Sequence, residues 1–261
     1  GGRRQRQMCI RDRINRSRRL LRDHDEDIAE RFVREASDQW DLRLDTTISS
    51  IVQGREGLEA TIESGGSSET LAADVVLAAT GRVSNVDRLD AEGAGLDVRD
   101  GVLAVDEYQR VLAAGEPVDG VWALGDVSSV TQLKHLANAQ ERTVQHNLLH
   151  PDDLRSTDER YVPHAVFTNP QIASVGMSES DARDLAAVQG FDVTVKVQDF
   201  GDVAYGWAME DDQGFVKLVA RKDTGELLGA HIIGTEASLL IQPLIQAMSF
   251  GLTAHEMARG Q

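Results

Sequence analysis

The residues that could do chemistry stand where apolar runs of the sequence end. Val121 to Val127 reads Val-Trp-Ala-Leu-Gly-Asp-Val, an apolar run that stops at Gly125-Asp126, and a helix-like stretch from Gln132 to Leu149 follows. A buried strand that ends in Gly-Asp and leads to a helix N-terminus places a carboxylate beside free backbone N–H groups, at the edge of a sheet where α/β proteins bind ligands. Such a set of one acceptor and several donors would suit a cofactor with sugar hydroxyls and a group that becomes negative.

The same pattern is also typical of an ordinary turn in which Asp126 only caps the next element. A second apolar run upstream favours the ligand-binding interpretation. Residues 74–79 read Asp-Val-Val-Leu-Ala-Ala and are followed by Thr80-Gly81-Arg82. We expect residues 74–79 to form a strand that is covered on both faces, because the run is apolar without alternation.

Composition limits the classes of partner. The chain has 261 residues, enough for about two domains, and a formal net charge of -16, which argues against nucleic acid. Nine Arg and one Asp stand in residues 1–22, either as a nucleic-acid arm or as a non-native or disordered leader; the lack of aromatic residues and of any periodicity favours the leader. No stretch reaches the roughly 18 apolar residues of a membrane span.

The single cysteine and the histidines restrict the chemistry further. Cys9 is the only cysteine of the chain, so the chain encodes no disulfide framework, zinc site or dithiol. The seven histidines show no metal-ligand spacing, and we predict no metal site.

The first half of the chain predicts a helix, strands and turns. Ile28, Phe32, Ala36 and Trp40 recur every four residues, which predicts an amphipathic helix over Asp27 to Trp40. Strands are expected at Leu42 to Val52, Leu58 to Glu63 and Val102 to Val105, with a turn at Ser64-Gly-Gly-Ser-Ser.

The pattern changes after the polar segment that begins at Pro151. Ser178, with Asp181 three residues later, predicts the start of a helix that runs to Val188, and Lys222-Asp-Thr-Gly-Glu predicts a hairpin turn. A long apolar helix is expected at Glu236 to Phe250, with a shorter one from Ala254. Strands are expected at Val162 to Phe167, Ile172 to Val175, Val193 to Val197, Phe215 to Ala220 and Leu227 to Ile233. This grouping favours an antiparallel α+β domain.

Three ordered motifs carry a resemblance to a known family. They are Ala79-Thr80-Gly81-Arg82-Val83-Ser84-Asn85, Ala123-Leu124-Gly125-Asp126-Val127 and Phe167-Thr168-Asn169-Pro170-Gln171-Ile172-Ala173-Ser174-Val175-Gly176. In order and spacing they resemble three signatures of the flavoprotein disulfide reductases, and the resemblance covers roughly residues 16–261.

The resemblance implies an α/β plus α+β fold, in which part of a Rossmann-like FAD- and NAD(P)-binding region precedes an antiparallel dimerisation domain. Residues 1–15 would be the leader. Residues 16–75 would end the NAD(P) domain, 76–152 would be the returning segment of the FAD domain, and 153–261 the dimerisation domain.

The family also implies roles for single residues. Gly125 and Asp126 would bind FAD, with Asp126 matching the acid that hydrogen-bonds the ribityl chain. Leu133, Lys134 and His135 match the start of the helix that points at the flavin pyrimidine edge, where a helix N-terminus can stabilise negative charge. Thr80, Gly81 and Arg82 match the nicotinamide-nucleotide side of the site.

Other parts of the family pattern are not found in this sequence. The redox motif C-x-x-x-x-C and the glycine fingerprint G-x-G-x-x-G are absent from it, and the resemblance places the catalytic His-Pro motif, whose His works with a Glu, beyond Gln261. His255-Glu256 is not that dyad, because adjacent helical residues point apart. We therefore interpret the chain as a C-terminal fragment that is inactive and holds little flavin by itself.

Within the family, the stretches Asp106-Glu-Tyr-Gln-Arg and Val197 to Asp211 resemble the branch that reduces mycothione, the disulfide of a small thiol. That branch implies FAD and NADPH as cofactors, a homodimer formed through the C-terminal domain, and a cytoplasmic protein. One alternative is the dihydrolipoamide dehydrogenase branch. Another is a dimerisation module without chemistry, whose dimer face would be the apolar helix Ser238 to Phe250; that stripe could equally be the domain's own core.

Overall fold

The computed structural model describes residues 12–260, which divide into two units. One unit contains the described residues up to Ala78 together with those from Pro163 onward, and the other is Ala79–Val162. Most of the predicted leader, Cys9 included, lies outside the described residues. The three-part domain division expected from the sequence stays a prediction.

Residues 12–78, the described part of the first segment, form one helix and five strands. β1 and β2 pair in parallel, and β3, β4 and β5 form an antiparallel meander in that order. The bounds are β1 (Asp12–Ile14), α1 (Glu26–Gln39), β2 (Asp41–Arg43), β3 (Thr47–Gln53), β4 (Leu58–Ser64) and β5 (Ser67–Ala73).

The second unit, Ala79–Val162, consists of two short hairpins and a long helix. Its core contains Val86, Leu103, Val111 and Ala123. The bounds are β6 (Val98–Arg99), β7 (Val102–Leu103), β8 (Arg110–Ala113), β9 (Glu116–Trp122) and α2 (Lys134–Leu149), with 3-10 turns at Val86–Leu89 and Gly125–Val127.

The last segment, from Pro163, forms the predicted antiparallel α+β structure. Its five strands pair in the order β10-β11-β14-β13-β12, and all four pairs are antiparallel. The bounds are β10 (His164–Val166), β11 (Gln171–Gly176), α3 (Glu179–Gln189), β12 (Val193–Asp199), α4 (Ala204–Ala208), β13 (Phe215–Arg221), β14 (Leu227–Gly234), α5 (Ala237–Leu240), α6 (Gln242–Ser249) and α7 (Ala254–Met257).

Helix α1 confirms the four-residue apolar repeat and shows what it packs against. Ile28, Phe32 and Ala36 are buried in one cluster with Ile172, Phe215 and Ile233 of the five-stranded sheet. Asp25 caps the helix by accepting a hydrogen bond from the Asp27 N–H at 3.1 Å. The helix thus covers one face of the sheet and belongs to its core.

Three predicted strands differ in the structure. The strand expected at Leu42 to Val52 is divided into β2 and β3, because Asp45 between them adopts a positive φ of 50° that breaks the extended chain. Residues 74–79 are not in a strand; Ser67–Ala73, which begins with four polar residues, forms β5 instead. The run Val121 to Val127 stays a strand only to Trp122, and that strand, β9, is a largely exposed hairpin partner of β8.

The turn between β4 and β5 explains why the polar residues after it form a strand. Gly65 and Gly66 have φ values of 56° and 81°, the positive pair that a two-residue hairpin turn of the primed type requires. Ser64 pairs directly with Ser67 across this turn. The turn, and not the hydrophobicity of the second strand, sets the pairing.

The long helix expected at Glu236 to Phe250 is two helices. α5 ends at Leu240 and α6 begins at Gln242, with Pro243 in the first turn of α6. Proline has no N–H to continue the bonding of a preceding helix but fits a first helical turn, so it starts the second helix there.

A buried lysine connects α1 to the sheet and to α3. Lys217 on β13 is 2% exposed, and its Nζ lies 2.9 Å from Asp25 Oδ1, 2.6 Å from Asp27 Oδ2 and 2.8 Å from Glu179 Oε2. Asp25 also accepts the Glu179 N–H at 3.0 Å, so one carboxylate lies at the N-termini of both α1 and α3.

A buried histidine, His231, and a half-buried one, His24, lie near this cluster. Burial lowers the pKa of His231, whose Nε2 donates to the Met177 carbonyl oxygen at 2.9 Å. Burial and the neighbouring His231 lower the pKa of His24, whose ring packs edge-on against His164 at 4.7 Å. Both imidazoles are therefore neutral in the folded chain at neutral pH.

We expect the unit that contains α1 to lose stability when the pH falls from about 7.5 to about 5.5. The unfolded chain binds protons at His24 and His231 below about 6.5, whereas the folded chain resists protonation, so the free energy of unfolding decreases through this window. Urea unfolding at a series of pH values would measure it. A double variant, His24→Gln with His231→Gln, should flatten the profile.

The carboxylates act at lower pH. Although burial opposes ionisation of Asp25, the hydrogen bond from the Glu179 N–H and the Lys217 ammonium hold its pKa below the ordinary value. Its contribution to stability is therefore complete above about pH 4 and is lost as the pH falls further.

The prediction for the two histidines would be contradicted if the free energy of unfolding stayed constant, or increased, as the pH is lowered from about 7.5 to about 5.5.

Candidate functional site

The Gly125-Asp126 turn has a defined shape. Gly125 is buried with φ 71°, and its carbonyl oxygen accepts the N–H groups of Ser128 at 3.0 Å and Ser129 at 2.9 Å. Its own N–H donates to the side-chain Oε1 of Gln140 at 2.7 Å. Asp126, the next residue, is exposed, so the turn buries its backbone and presents a carboxylate to solvent.

Helix α2 begins close to this turn in sequence and is not capped by a side chain. Leu133 stands at the N-cap with no side-chain hydrogen bond to the first helical turn, and Lys134 and His135 are exposed. The first N–H groups of a helix have no partner within the helix and carry about half a positive charge. The N-terminus of α2 is therefore open to an anionic or acceptor group.

The arginine of the Thr80-Gly81-Arg82 segment lies beside Asp126 and the residues that precede α2. Arg82 Nη2 donates to the Gln132 carbonyl oxygen at 2.6 Å, and Arg82 Nη1 lies 3.6 Å from Asp126 Oδ2. Both side chains of the ion pair are more than half exposed, so the pair is worth little to stability and can exchange for another partner. Arg82, Asp126 and the start of α2 thus form one cluster.

Thr80 and Gly81 lie exposed beside Arg82. Gly81 has a φ of 110°, and a Cβ built on it would meet no atom within 4 Å. Within this chain, glycine is favoured at position 81 because of its positive φ and not because of a neighbouring atom. The space beside Gly81 is open to another molecule.

Two further properties of the described chain limit the site. Among residues 12–260, no group of three or more His, Cys, Asp and Glu side chains is arranged to hold a metal ion. Within the same range, no helix combines the length and the apolar character needed to cross a bilayer.

Comparison with protein families decides the relationship. The model of the pyridine nucleotide-disulphide oxidoreductases matches residues 10–143, and the model of their dimerisation domain matches residues 162–260. The chain belongs to this family. The antiparallel sheet from β10 to β14 accordingly lies in the dimerisation-domain match, as the sequence motifs predicted.

Two curated members of the family show different degrees of similarity. The chain is 56% identical over 246 residues to mycothione reductase of Mycobacterium tuberculosis, an alignment that covers 93% of this chain and 51% of that protein. It is 37% identical over 191 residues to dihydrolipoyl dehydrogenase of Synechocystis, covering 73% of this chain and 40% of that protein. The chain therefore spans about half the length, or less, of these relatives.

Two solved structures share the fold. The HOCl-induced flavoprotein disulfide reductase RclA of Escherichia coli superposes with a TM-score of 0.80 at 26% identity, covering 96% of this chain and 55% of that chain. LpdA of Mycobacterium tuberculosis superposes with a TM-score of 0.79 at 24% identity, covering 95% and 52%.

The side chains of His255 and Glu256 contact other parts of the chain. Glu256 Oε2 accepts the Thr253 N–H at 2.8 Å and the Thr253 hydroxyl at 2.9 Å, and Thr253 Oγ1 accepts the Glu256 N–H at 3.2 Å. These bonds form a capping box at the start of α7 and hold the pKa of Glu256 below its ordinary value. His255 lies against Gly225, where an added Cβ would come within 2.8 Å of the ring.

Replacing Glu256 with alanine should lower the unfolding temperature slightly, because the capping box at the start of α7 would be lost. Flavin binding and turnover by the complete protein should not change. Differential scanning calorimetry and a flavin titration would measure the two effects. A large loss of turnover without loss of stability would instead assign Glu256 to the chemistry.

Two polar residues of α2 that were not predicted from the sequence are buried near the candidate site. Gln140 and Asn147 are buried on α2, in the same stripe as Leu136 and Val144. The signal was present in the sequence, because polar residues at core positions of an amphipathic helix need hydrogen-bond partners. Gln140 finds one in the Gly125 N–H, at the predicted cofactor turn.

Proposed function

We propose that the chain is part of an NADPH-dependent flavoprotein that reduces mycothione and that works in the cytoplasm. The observation that carries this proposal is the 56% identity to mycothione reductase over 93% of the chain. The identity to a dihydrolipoyl dehydrogenase is 37%, which favours the mycothione branch over the dihydrolipoamide branch.

The residues at the Gly125-Asp126 turn fit FAD. An exposed carboxylate suits a ligand with hydroxyl groups, and an uncapped helix N-terminus suits a group that gains negative charge. The hydroxyl oxygen of Ser128, in the same turn, is buried without a hydrogen-bond partner among the described residues. When bound, FAD would supply the transfer of electrons between the nicotinamide nucleotide and the disulfide.

Each residue then has a proposed part. Asp126 would accept a hydrogen bond from a ribityl hydroxyl, exchanging its exposed contact with Arg82 for that bond. The first N–H groups of α2, beside Leu133, Lys134 and His135, would stabilise negative charge that develops on the ring. Thr80, Gly81 and Arg82 would line the nicotinamide-nucleotide side.

The disulfide chemistry needs groups that this chain does not encode. Its only cysteine is Cys9, so it has no thiol pair to accept electrons and attack a disulfide. We propose that residues 16–75 and 76–152 serve the NAD(P) and FAD domains, that residues 153–261 serve dimerisation, and that the chain alone does not turn over.

Steady-state rates of the complete protein test the substrate. We expect NADPH oxidation to depend on mycothione, with a kcat/KM far above that for lipoamide with NADPH or NADH. A preference for lipoamide would move the protein to the other branch. NADPH-dependent reduction of mycothione by these 261 residues alone would contradict the assignment of the chemistry to groups outside them.

The dimerisation-domain match supports a homodimer formed through the C-terminal domain. Of the predicted apolar stripe, Leu244 and Met248 are buried in the domain itself, whereas Leu239 and Leu240 are 67% and 48% exposed. Phe250 is 81% exposed nearby in sequence. The exposed members are our proposed dimer contacts, and the buried ones are core.

Sedimentation at micromolar concentration tests the dimer. A complete protein that sediments as a monomer would contradict the proposed dimer contacts. A complete protein that forms a dimer but binds neither FAD nor NADPH would favour the alternative of a dimerisation module without chemistry.

A further inference from the structure

Helix α2 is bonded along one side to the segment 155–159 (residues Arg155 to Glu159). Gln140 Nε2 donates to Glu159 Oε1 at 2.8 Å, and the Thr157 hydroxyl donates to the Thr143 hydroxyl oxygen at 2.8 Å. At the end of the helix, Asn147 Oδ1 accepts the Arg155 N–H at 2.8 Å and Asn147 Nδ2 donates to the Arg155 carbonyl oxygen at 2.9 Å. The segment therefore runs antiparallel to α2 and is bonded to it at three levels.

Gln140 differs from Thr143 and Asn147 because it also contacts the predicted cofactor turn. Its side chain is 2% exposed, and its Oε1 accepts the Gly125 N–H at 2.7 Å. The Gly125 N–H can only donate, so it faces the amide oxygen of Gln140, and the Nε2 group of the same amide donates to the Glu159 carboxylate on the other side. Glu159 thus orients Gln140, and Gln140 holds Gly125.

The contact constrains the turn that presents Asp126. Gly125 is buried with a φ of 71°, and a Cβ on it would come within 3.3 Å of the Ala137 Cβ. Ala137 and Gln140 are three residues apart on one face of α2, so the helix sets the position of Gly125 by shape and by a hydrogen bond. Without the Gln140 oxygen, a buried N–H would lose its partner, which favours another turn conformation.

We propose that Gln140, oriented by Glu159, is a positioning residue that holds the Gly125-Asp126 turn in the conformation that binds FAD. The inference rests on the proposed function, because it takes this turn to be the flavin contact. The segment 155–159 then acts on the cofactor site through the Gln140 side chain of α2.

Asn147 provides the matched control. It is 1% exposed, lies on the same helix and bonds the same segment, and its Nδ2 also donates to the Tyr108 carbonyl oxygen at 3.1 Å. Its hydrogen bonds go to Tyr108 and Arg155 and not to Gly125. If Gln140 served only the packing of α2, Gln140→Ala and Asn147→Ala would have the same consequences.

The test uses the complete protein, prepared as apoprotein and titrated with FAD, with flavin fluorescence as the readout. We expect Gln140→Ala to raise the Kd for FAD by about tenfold, the size of effect usual for the loss of one buried hydrogen bond. Asn147→Ala should change that Kd by less than about twofold, although thermal unfolding should show both variants destabilised. In the apoprotein, hydrogen exchange at the Gly125 amide should accelerate in Gln140→Ala and not in Asn147→Ala.

An exchange of the Gln140 amide and the Glu159 carboxylate tests whether Glu159 orients Gln140. Gln140→Glu keeps an acceptor for the Gly125 N–H but faces the Glu159 carboxylate with another carboxylate, so we expect weaker FAD binding that improves as the pH is lowered. Adding Glu159→Gln restores a donor to that contact. The double variant should therefore bind FAD more tightly than Gln140→Glu alone.

Equal effects of the Gln140 and Asn147 variants on FAD binding would overturn the inference, as would a double variant that binds no better than Gln140→Glu. Asp126→Ala separates this failure from that of the proposed function. If Asp126→Ala weakens FAD binding while the Gln140 variants do not, only the positioning role is lost. If Asp126→Ala has no effect, the turn is not the flavin contact.

Discussion

Replacing Lys217 with methionine should lower the free energy of unfolding by about 3–5 kcal/mol, the usual cost of removing one partner of a buried ion pair. Asp25 is 1% exposed and would lose its ammonium partner while buried, and Asp27 and Glu179 would lose the same partner. Methionine is unbranched and apolar, so the loss would come from the charge and not from a cavity. Urea unfolding of the chain, with hydrogen exchange at the α1 amides, would measure the effect.

Lys196 provides the control for this experiment. It lies on β12 and pairs with Leu218, beside Lys217, but its side chain is exposed, so Lys196→Met should change stability by less than about 0.5 kcal/mol. Adding Asp25→Asn to Lys217→Met removes the unpaired charge and should recover part of the loss. A loss below about 1 kcal/mol for Lys217→Met would contradict the account of a buried ion pair.

The lysine also shows how two parts of the sequence join in one unit. Asp25 and α1 lie within residues 10–143, matched by the oxidoreductase model, whereas Lys217 and Glu179 lie within the dimerisation-domain match. The ion pairs of Lys217 and the apolar cluster of Ile28 and Phe32 bind α1 to the sheet. We therefore expect α1 and the five-stranded sheet to exchange their amides as one cooperative unit.

Replacing Asp126 with alanine should raise the Kd of the complete protein for FAD by roughly 10- to 100-fold, because the variant loses a hydrogen bond made by a charged group. Asp126→Asn keeps hydrogen-bonding capacity without the charge, so its Kd for FAD should lie between those of the unmodified protein and Asp126→Ala. Titration of apoprotein with FAD, together with the flavin content of the purified protein, would measure both variants.

Stability should hardly change in these variants, since Asp126 is exposed and its contact with Arg82 is an exposed ion pair at 3.6 Å. Asp119→Ala, an exposed carboxylate on β9 of the same unit, is the matched control and should leave the Kd for FAD unchanged. If Asp126→Ala bound FAD as tightly as the unmodified protein, the assignment of Asp126 to the ribityl chain would be wrong.

Local signals in the sequence predicted much of the fold. The four-residue spacing from Ile28 to Ala36 predicted α1, and Ser178 does cap α3, accepting the Asp181 N–H at 3.2 Å. The hairpin at Lys222 joins β13 and β14 as expected. In each case residues close in sequence determine the geometry, so one sequence is enough to read it.

Elements that depend on distant partners were harder to predict. Residues 74–79 were expected to be a strand because of their apolar run, yet within the described residues they pair with no strand, and Val75 and Leu77 are about 80% exposed. β5 was missed because its first four residues are polar; the Gly65-Gly66 turn and the register with β4 determine this strand rather than its own hydrophobicity. Strand propensity depends strongly on the neighbouring strand.

The candidate site shows the same division. Gly125, Asp126 and the start of α2 were found from the sequence because a Gly-Asp turn before a helix is a local pattern. Gln140 and Lys217 were not found, although each places a polar group at an inward position of an apolar stripe. Their partners, Glu159 for the first and Asp25 for the second, become visible only when the chain is folded.

A crystal structure of the complete protein with bound FAD would test the flavin assignment. We predict that the Asp126 carboxylate lies within hydrogen-bond distance of a ribityl hydroxyl, that the N-terminus of α2 faces the pyrimidine edge of the flavin, and that Gln140 still accepts the Gly125 N–H. Flavin density away from the Gly125-Asp126 turn, or a complete protein that takes up no flavin, would contradict it.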